Sequence, residues 1–207
     1  MHTPSSLTYP DRLLLSSVAL ARGEDVAVPG RRWHKDVYSR EVGRGIEAFR
    51  SLVVAHRLFD VHRAAGLRAC REGTLLRLRL GPLLNPCSIL VDRLYSSDGA
   101  PWASTSDVQE ELAALNERVE LPVFAGSRAE YVFVYGTLPR HVETGEEAFI
   151  IALGADDTVT VTIRAVSAPG WWAARLCPPL TRLGQKLLTR RYLRAYERFG
   201  RAGSRPG

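Results

Sequence analysis

Residues 131–153, YVFVYGTLPRHVETGEEAFIIAL, decide the fold. Two runs rich in β-branched, aromatic and aliphatic residues, 131–137 and 146–153, flank a polar segment that contains a proline and a glycine. Runs of this length on either side of turn-forming residues are typical of two antiparallel strands. Because side chains alternate between the two faces of a strand, the polar residues gather at one end of the pair. The sequence therefore predicts a β-hairpin with a polar end.

Neighbouring regions carry the same period of two and extend the hairpin into a larger sheet. Leucine alternates with arginine over 74–80, and a second apolar run follows at 88–95. Valine, isoleucine and threonine alternate over 158–166, and residues 33–38 form a further candidate strand. Such alternation is typical of half-buried antiparallel strands. We therefore expect an antiparallel meander.

Two segments show the three- and four-residue spacing of amphipathic helices. One covers residues 46–61 and is expected to end at Gly66, and the other runs from 178 to 199. The tail 200–207 is expected to be disordered. The order helix, meander, long helix predicts an α+β fold in which a curved antiparallel sheet wraps around the C-terminal helix, because only a helix of this length covers such a sheet.

A chain of 207 residues with 45% hydrophobic and 24% charged residues is typical of one globular domain. Residues 96–128 interrupt the strand pattern with a loop rich in small and polar residues and a short predicted helix over 107–119. This insertion is either a lid over a binding site or a neutral surface segment, and the sequence leaves both open. We treat 1–207 as a single domain.

Composition restricts the compartment and the partners. The three cysteines form no C-x-x-C pair, so we expect neither a disulfide framework nor a zinc site, and a reducing cytoplasm is the simplest location. The run 13–21 is similar to the apolar part of a secretion signal, but no basic excess precedes it. A net charge of +6 favours solubility and is also compatible with contact to anionic lipid. The C-terminal helix lacks the interleaved aromatic residues of a nucleic-acid surface, so no nucleic-acid partner is expected.

The strongest candidate for chemistry is Glu147. Alternation places Glu147 on the same strand face as Phe149. On the neighbouring strand, Phe133 and Tyr135 also share one face. These aromatic neighbours indicate that the face of Glu147 points inward. Burial disfavours the charged form of a carboxylate unless a cation such as Arg164 pairs with it. Glu147 is therefore either a neutralised general acid or base, or half of a structural ion pair.

Other candidate site residues surround this position. His141 and Glu143 stand two residues apart, as a base and an orienting carboxylate would, although a solvated turn has the same spacing. Tyr135 is a further candidate for proton transfer or an ordinary core tyrosine. Trp33 and Trp171, with Phe133 and Phe149, are candidate substrate contacts or core residues.

Several common chemistries have no motif in this sequence. It lacks G-x-S-x-G, H-E-x-x-H and G-x-x-x-x-G-K-[ST], so we expect no metal and no cofactor. His56 and His62 are six residues apart and are predicted to lie on different faces of one helix.

Six segments together carry a resemblance to a known family: LTYP at 7–10, VGRGIEAF at 42–49, HRAAGL at 62–67, RLGPL at 79–83, YGTLPRHVETGEEAF at 135–149 and IRAVSAPGWWAARL at 163–176. With them the chain resembles the domain of unknown function 1990 family along nearly its whole length. The 135–149 element is long enough to be specific.

The resemblance implies kinship with the START-like or helix-grip (SRPBCC-type) superfamily. Members of that superfamily enclose an apolar cavity between the sheet and the C-terminal helix, bind lipids, sterols or polyketides, and in some cases act as cofactor-free cyclases. The family itself supplies no reaction, so function has to be argued from the site.

Three hypotheses follow. The first is a protein that binds a hydrophobic metabolite in its cavity and catalyses a cofactor-free acid/base rearrangement, such as cyclisation or dehydration of a polyketide-like substrate, with Glu147, His141, Glu143 and Tyr135 as catalytic candidates and Arg164 among the binding residues. The second is a non-enzymatic lipid carrier that docks on anionic membrane through its basic C-terminal helix. The third is a partner-binding module whose interior is filled by side chains.

Overall fold

A computed structural model describes residues 7–21, 33–96, 126–170 and 178–203. Most of the 96–128 insertion, including the helix predicted over 107–119, lies outside the described residues. Trp171 lies outside them as well.

Seven antiparallel strands form one sheet in the order β1-β7-β6-β5-β4-β3-β2. Consecutive strands from β2 to β7 are neighbours, as expected of a meander, and β1 pairs with β7 at the far edge. The strands are β1 (His34–Arg44), β2 (Arg68–Glu72), β3 (Leu75–Leu80), β4 (Leu83–Ser96), β5 (Ser127–Thr137), β6 (Glu143–Gly154) and β7 (Thr158–Pro169).

Three helices pack on one face of the sheet, which we call the inner face. They are α2 (Gly45–Arg57), α3 (Asp60–Ala64) and the long C-terminal helix α4 (Pro178–Gly203). The short helix α1 (Ser16–Ala21) lies on the opposite, outer face against β6 and β7. The predicted α+β fold, a curved antiparallel sheet around a long C-terminal helix, is confirmed.

The main core lies between the inner face and the three helices. Aromatic and aliphatic residues from all of these elements are buried there, among them Phe49, Leu52, Phe133, Phe149 and Ile163. A smaller apolar cluster on the outer face joins Val18 of α1 to β4, β5 and β6. The apolar run 13–21, with Leu13 and Val18 buried, therefore packs against the sheet.

The helix predicted over 46–61 is interrupted. Phe59 adopts a left-handed conformation, with φ 58° and ψ 20°, and separates α2 from α3. The prediction for the end of the helical region is close, since Gly66 has φ +96° just after α3. The prediction for the two histidines is wrong, because the break turns the chain and brings the ring centroids of His56 and His62 to 5.1 Å.

One strand was not predicted from the sequence, and the predicted disordered tail needs correction. Strand β2 was not predicted, since RACRE at 68–72 is too polar to show an apolar alternation. Helix α4 continues to Gly203, so residues 200–203 of the predicted disordered tail are helical. Residues 204–207 lie outside the described part of the chain.

Candidate functional site

A cavity of about 480 Å³ lies between the inner face, the turn between β3 and β4, and the first half of α4. This volume is within the range of small-molecule sites. Most of the lining is apolar and includes Tyr38, Leu67, Leu78, Leu80, Ile163 and Leu188. Polar residues line it as well, among them Asp36, Tyr135, His141, Glu143, Glu147, Gln185 and Tyr192.

The sheet register aligns three of these polar residues in one row across four strands. Asp36 of β1 pairs with Ala165 of β7, Ala165 pairs with Glu147 of β6, and Glu147 pairs with Tyr135 of β5. Directly opposite residues of neighbouring strands have their Cβ atoms about 5 Å apart and on the same face. Ala165 is small and lines the cavity, so it leaves room between the two carboxylates of the row.

Glu147 points into the cavity, as alternation predicts. The Tyr135 hydroxyl donates a hydrogen bond to Glu147 Oε2. Burial raises the pKa of Glu147 to about 7; the Tyr135 hydrogen bond lowers it, and the charges of Glu143 and Asp36 raise it further. At neutral pH this carboxyl group therefore populates both protonation states, which is the property that a general acid or base requires.

His141 and Glu143 both line the cavity, but they do not form a base–carboxylate pair, which was one of the two alternatives that the sequence left open. The His141 Nδ1 atom lies 3.0 Å from the backbone nitrogen of Glu143, which donates to it, and the Glu143 carboxylate instead accepts a hydrogen bond from Gln185. Burial lowers the pKa of His141 to about 4, so the imidazole is neutral at pH 7. Its orientation comes from backbone rather than from a carboxylate.

The expected contact between Arg164 and Glu147 is not formed. Arg164 pairs in the register with Ala148, so its side chain points to the outer face, whereas Glu147 points to the inner face. There the guanidinium Nη1 donates to the backbone oxygen of Leu20 at 3.1 Å. Arg164 is therefore not part of the cavity lining, and the substrate-binding role expected of it is not supported.

The described aromatic residues that were candidates for substrate contact, Trp33, Phe133 and Phe149, do not line the cavity. Phe133 and Phe149 pack in the core among the histidine and tyrosine rings, with 4.7 Å between the centroids of His56 and Phe133. They lie behind the cavity wall and do not line it. Trp33 is half-buried just before β1 and does not line the cavity either.

The polar residues that α4 brings to the cavity were not predicted as site residues from the sequence. Gln185, Thr189 and Tyr192 all line it, and their spacing of four and then three residues places them on one helix face. This spacing was the available signal. The 185, 189, 192 spacing was overlooked, because the leucines at neighbouring positions of the same helix dominate its hydrophobic pattern.

A second buried carboxylate, Glu146, also escaped the sequence analysis. It points to the outer face, where the Tyr9 hydroxyl and the backbone nitrogens of Leu15 and Ser17 donate to it at 3.0, 2.8 and 3.0 Å. Burial raises the pKa of Glu146, and these hydrogen bonds oppose the shift. Glu146 thus holds the start of α1 on the sheet and is a structural residue.

Two classes of site find no support in the described residues. Among residues 7–21, 33–96, 126–170 and 178–203, no group of three or more His, Cys, Asp or Glu side chains could hold a metal ion. The helices described there include none that is long and apolar enough to cross a bilayer.

Seven antiparallel strands around a long C-terminal helix define the class of the molecule, an α+β protein of helix-grip architecture. Within that class the chain belongs to the family described as a domain of unknown function (DUF1990), whose model matches residues 16–195. No curated protein sequence matches the chain.

Solved structures similar to this chain include proteins from several bacteria. A hypothetical protein from Helicobacter pylori is 8% identical with a TM-score of 0.49, and the match covers 97% of this chain and 99% of that one. A protein from Thermus thermophilus is 14% identical with a TM-score of 0.44, over 83% and 100% of the two chains. The Zhui aromatase/cyclase from Streptomyces sp. R1128 is 11% identical with a TM-score of 0.42, over 84% and 96%.

Proposed function

We propose that this protein binds a hydrophobic metabolite in the inner cavity and catalyses a cofactor-free acid/base rearrangement on it, such as cyclisation or dehydration of a polyketide-like chain. The observation that carries the proposal is the position of Glu147. Its carboxyl group lies in a mainly apolar cavity of about 480 Å³ and has a pKa raised to about 7. A carboxyl group with this pKa can accept a proton and return it at neutral pH.

The residues around Glu147 have distinct roles in the proposed reaction. Tyr135 donates a hydrogen bond to Glu147 and orients the carboxyl group. His141 is neutral and presents an imidazole to the same cavity. The apolar wall excludes water and selects the ligand by shape. Each positioned proton-transfer group contributes about 10²–10⁴-fold to the rate.

Binding is tested by native mass spectrometry of the protein purified from its own host. The wild type is expected to carry a small apolar molecule. Ala165→Phe fills the space between Asp36 and Glu147 and should remove that molecule. Val37→Phe is the matched control, because Val37 lies on the neighbouring strand β1 but is exposed on the outer face. Wild-type protein without any bound molecule, or equal loading of the Ala165→Phe variant, would contradict the binding proposal.

Catalysis is tested on the molecule found in this way. Glu147→Gln keeps the size and polarity of the side chain but cannot accept a proton, so turnover should fall by about 10²–10⁴-fold while affinity changes little. His141→Ala is expected to lower turnover less, since Glu147 remains. Unchanged turnover in the Glu147→Gln, His141→Ala double variant would remove the catalytic half of the proposal and leave a binding protein.

A second candidate function is a non-enzymatic carrier that collects its ligand at a membrane. The first half of α4, beside the cavity, exposes Leu183 by 54% and Leu187 by 46%, next to the exposed cations Lys186 and Arg190. Leucines bordered by cations suit an anionic bilayer surface. Flotation with vesicles tests this: binding should require anionic lipid and be lost in Leu183→Ser, Leu187→Ser. Equal flotation with neutral vesicles, or none, would contradict it.

A further inference from the structure

The inner core contains four large tyrosine side chains whose hydroxyl groups are buried. Three of the hydroxyls have a partner inside the protein. Tyr131 donates to Asp92 Oδ1 at 2.8 Å, Tyr135 donates to Glu147, and Tyr196 shares a hydrogen bond with His56 Nδ1. The fourth hydroxyl, that of Tyr192, has no hydrogen-bond partner, although the residue is only 2% exposed.

Tyr192 is also the residue that connects this core to the cavity. Its ring packs against Phe149 and His62 on the core side, with centroid distances of 5.2 and 5.3 Å. The same side chain lines the cavity beside Gln185 and Thr189 of its own helix. The unpartnered hydroxyl therefore belongs to a residue that a bound ligand would touch.

An unpaired buried hydroxyl is costly, because it has lost its hydrogen bonds to water; the typical cost is about 1–3 kcal/mol. Such groups are rare in folded proteins and mark a missing partner. The phenol is a donor: burial and, after it, the charge of Glu147 raise the pKa of Tyr192 well above its ordinary value, so the proton stays on the oxygen. The missing partner is therefore an acceptor.

We propose that the hydroxyl of Tyr192 donates a hydrogen bond to a carbonyl oxygen of the ligand, so that the substrates of this cavity are hydrophobic carbonyl compounds. This inference deepens the proposed function and rests on it. A donor on the carbonyl oxygen stabilises the negative charge that this oxygen gains when a neighbouring carbon loses a proton. Glu147 lies in the same cavity as the base.

The experiment compares two probes of nearly equal size, 2-acetylnaphthalene and 2-ethylnaphthalene, of which only the first has a carbonyl group. Binding is measured by calorimetry for wild type, Tyr192→Phe and Tyr196→Phe. Both variants lose one phenol oxygen, but the Tyr196 hydroxyl bonds to His56 and the residue does not line the cavity. A ¹³C-edited infrared spectrum of bound acetylnaphthalene reports directly on hydrogen bonding to its carbonyl.

Tyr192→Phe should lower the affinity for 2-acetylnaphthalene by roughly fivefold and leave the affinity for 2-ethylnaphthalene unchanged. Tyr196→Phe should not change the ratio of the two affinities. The carbonyl band should be shifted to lower frequency in wild type and move back in Tyr192→Phe. If Tyr192→Phe changes the affinity for both probes equally, as expected when the phenol bonds to His62 instead, the inference is overturned. The cavity then remains a binding site. An unshifted band in wild type would overturn it without any variant. If wild type binds neither probe, the proposed function fails as well.

Discussion

Glu146 and Glu147 are neighbours on β6, and their carboxyl groups lie on opposite faces of the sheet. Burial raises the pKa of both. Glu146 is surrounded by donors from the N-terminal segment, so its oxygens are satisfied within the protein. Glu147 has Tyr135 as its hydrogen-bond donor and otherwise borders the cavity. One carboxyl group therefore stabilises the fold, and the other is available to a ligand.

The raised pKa of Glu147 predicts a pH-dependent cost to stability. The folded state keeps this proton up to about pH 7, whereas the unfolded chain releases it near 4.5. The folded protein therefore loses stability from this group as the pH rises from about 4.5 to 7. Relative to Glu147→Gln, the free energy of unfolding of wild type should fall by roughly 1–3 kcal/mol over that range. The lower figure applies when water enters the cavity and screens the charge. Urea unfolding of both proteins between pH 4 and 8 measures the difference.

Subtracting the variant from the wild type is essential here, because histidines titrate in the same range with the opposite sign. Val54→Ala serves as the control, since Val54 is 55% exposed and has no titrating group, so its difference from wild type should be flat. A flat difference for Glu147→Gln too would mean that its carboxyl group is fully hydrated.

The residues of the site were partly predictable. Alternation along a strand correctly turned Glu147 inward, because the aromatic neighbours identify the buried face. The same alternation places Arg164 on the opposite face from Ala165. The predicted ion pair between Arg164 and Glu147 was based on charge alone and did not take this alternation into account. Tyr192 could not be found in this way, since the face that a long helix turns to a cavity depends on packing with the sheet.

At the scale of elements, the two most distinctive sequence segments form one structural unit. LTYP at 7–10 lies along the end of the 135–149 hairpin: the backbone nitrogen of Thr8 donates to the Thr137 oxygen at 3.0 Å, and the Thr144 hydroxyl donates to the Thr8 oxygen at 2.8 Å. A Cβ at Gly136 would lie 2.4 Å from the Tyr9 hydroxyl oxygen, so the glycine makes room for this ring. The hairpin thus binds its own N-terminal segment on one face and lines the cavity with the other.

Removing the Glu146 carboxylate should release this N-terminal segment. Glu146→Ala leaves four donors without their acceptor and should cost roughly 3 kcal/mol. They are the Tyr9 hydroxyl, the backbone nitrogens of Leu15 and Ser17, and the Ser17 hydroxyl. Hydrogen exchange should accelerate first at the amides of Leu15 and Ser17. If exchange rises evenly over the whole sheet instead, the segment and the sheet unfold together and Glu146 has no local role.

Helix α4 offers a pair of glycines with opposite expected effects. A Cβ at Gly200 would lie 2.2 Å from the backbone oxygen of Val42, so Gly200→Ala must push α4 away from β1. A Cβ at Gly184 would meet nothing within 4 Å, so Gly184→Ala should stabilise the helix by about 1 kcal/mol. Thermal unfolding of the two variants measures both signs. A lower Tm for Gly184→Ala or a higher one for Gly200→Ala would show that the helix sits differently on the sheet.

The elements themselves were largely predictable, with instructive exceptions. Period-two alternation revealed most of the strands, since half-buried antiparallel strands carry that pattern directly. The break at Phe59 was not visible, because apolar spacing continues across it and a left-handed phenylalanine has no sequence signal. That single conformation decides whether His56 and His62 meet.

At the scale of the whole molecule, the paired histidines join most of the inner elements. His56 of α2 and His62 of α3 are completely buried, and their rings contact aromatic side chains of β5, β6 and α4. Both nitrogens of His62 are without a hydrogen-bond partner. Burial lowers the pKa of His56 to about 3, and burial together with the nearby His56 lowers the pKa of His62 well below its ordinary value. The native core therefore exists only with both rings neutral.

This requirement predicts cooperative destabilisation by acid. Below the ordinary pKa of 6.5, the histidines of the unfolded chain bind protons, whereas the buried rings of the folded protein stay neutral. The free energy of unfolding therefore falls as the pH drops, by roughly 2 kcal/mol for His56 between pH 6.5 and 5. His62→Leu removes one such ring together with two unsatisfied nitrogens, and should lose less stability than wild type between pH 7 and 5 in urea unfolding. Val61→Ala, a buried substitution on the same helix without a titrating group, should lower stability equally at both pH values. Equal acid sensitivity of His62→Leu and wild type would mean that His62 accepts a proton inside the folded core.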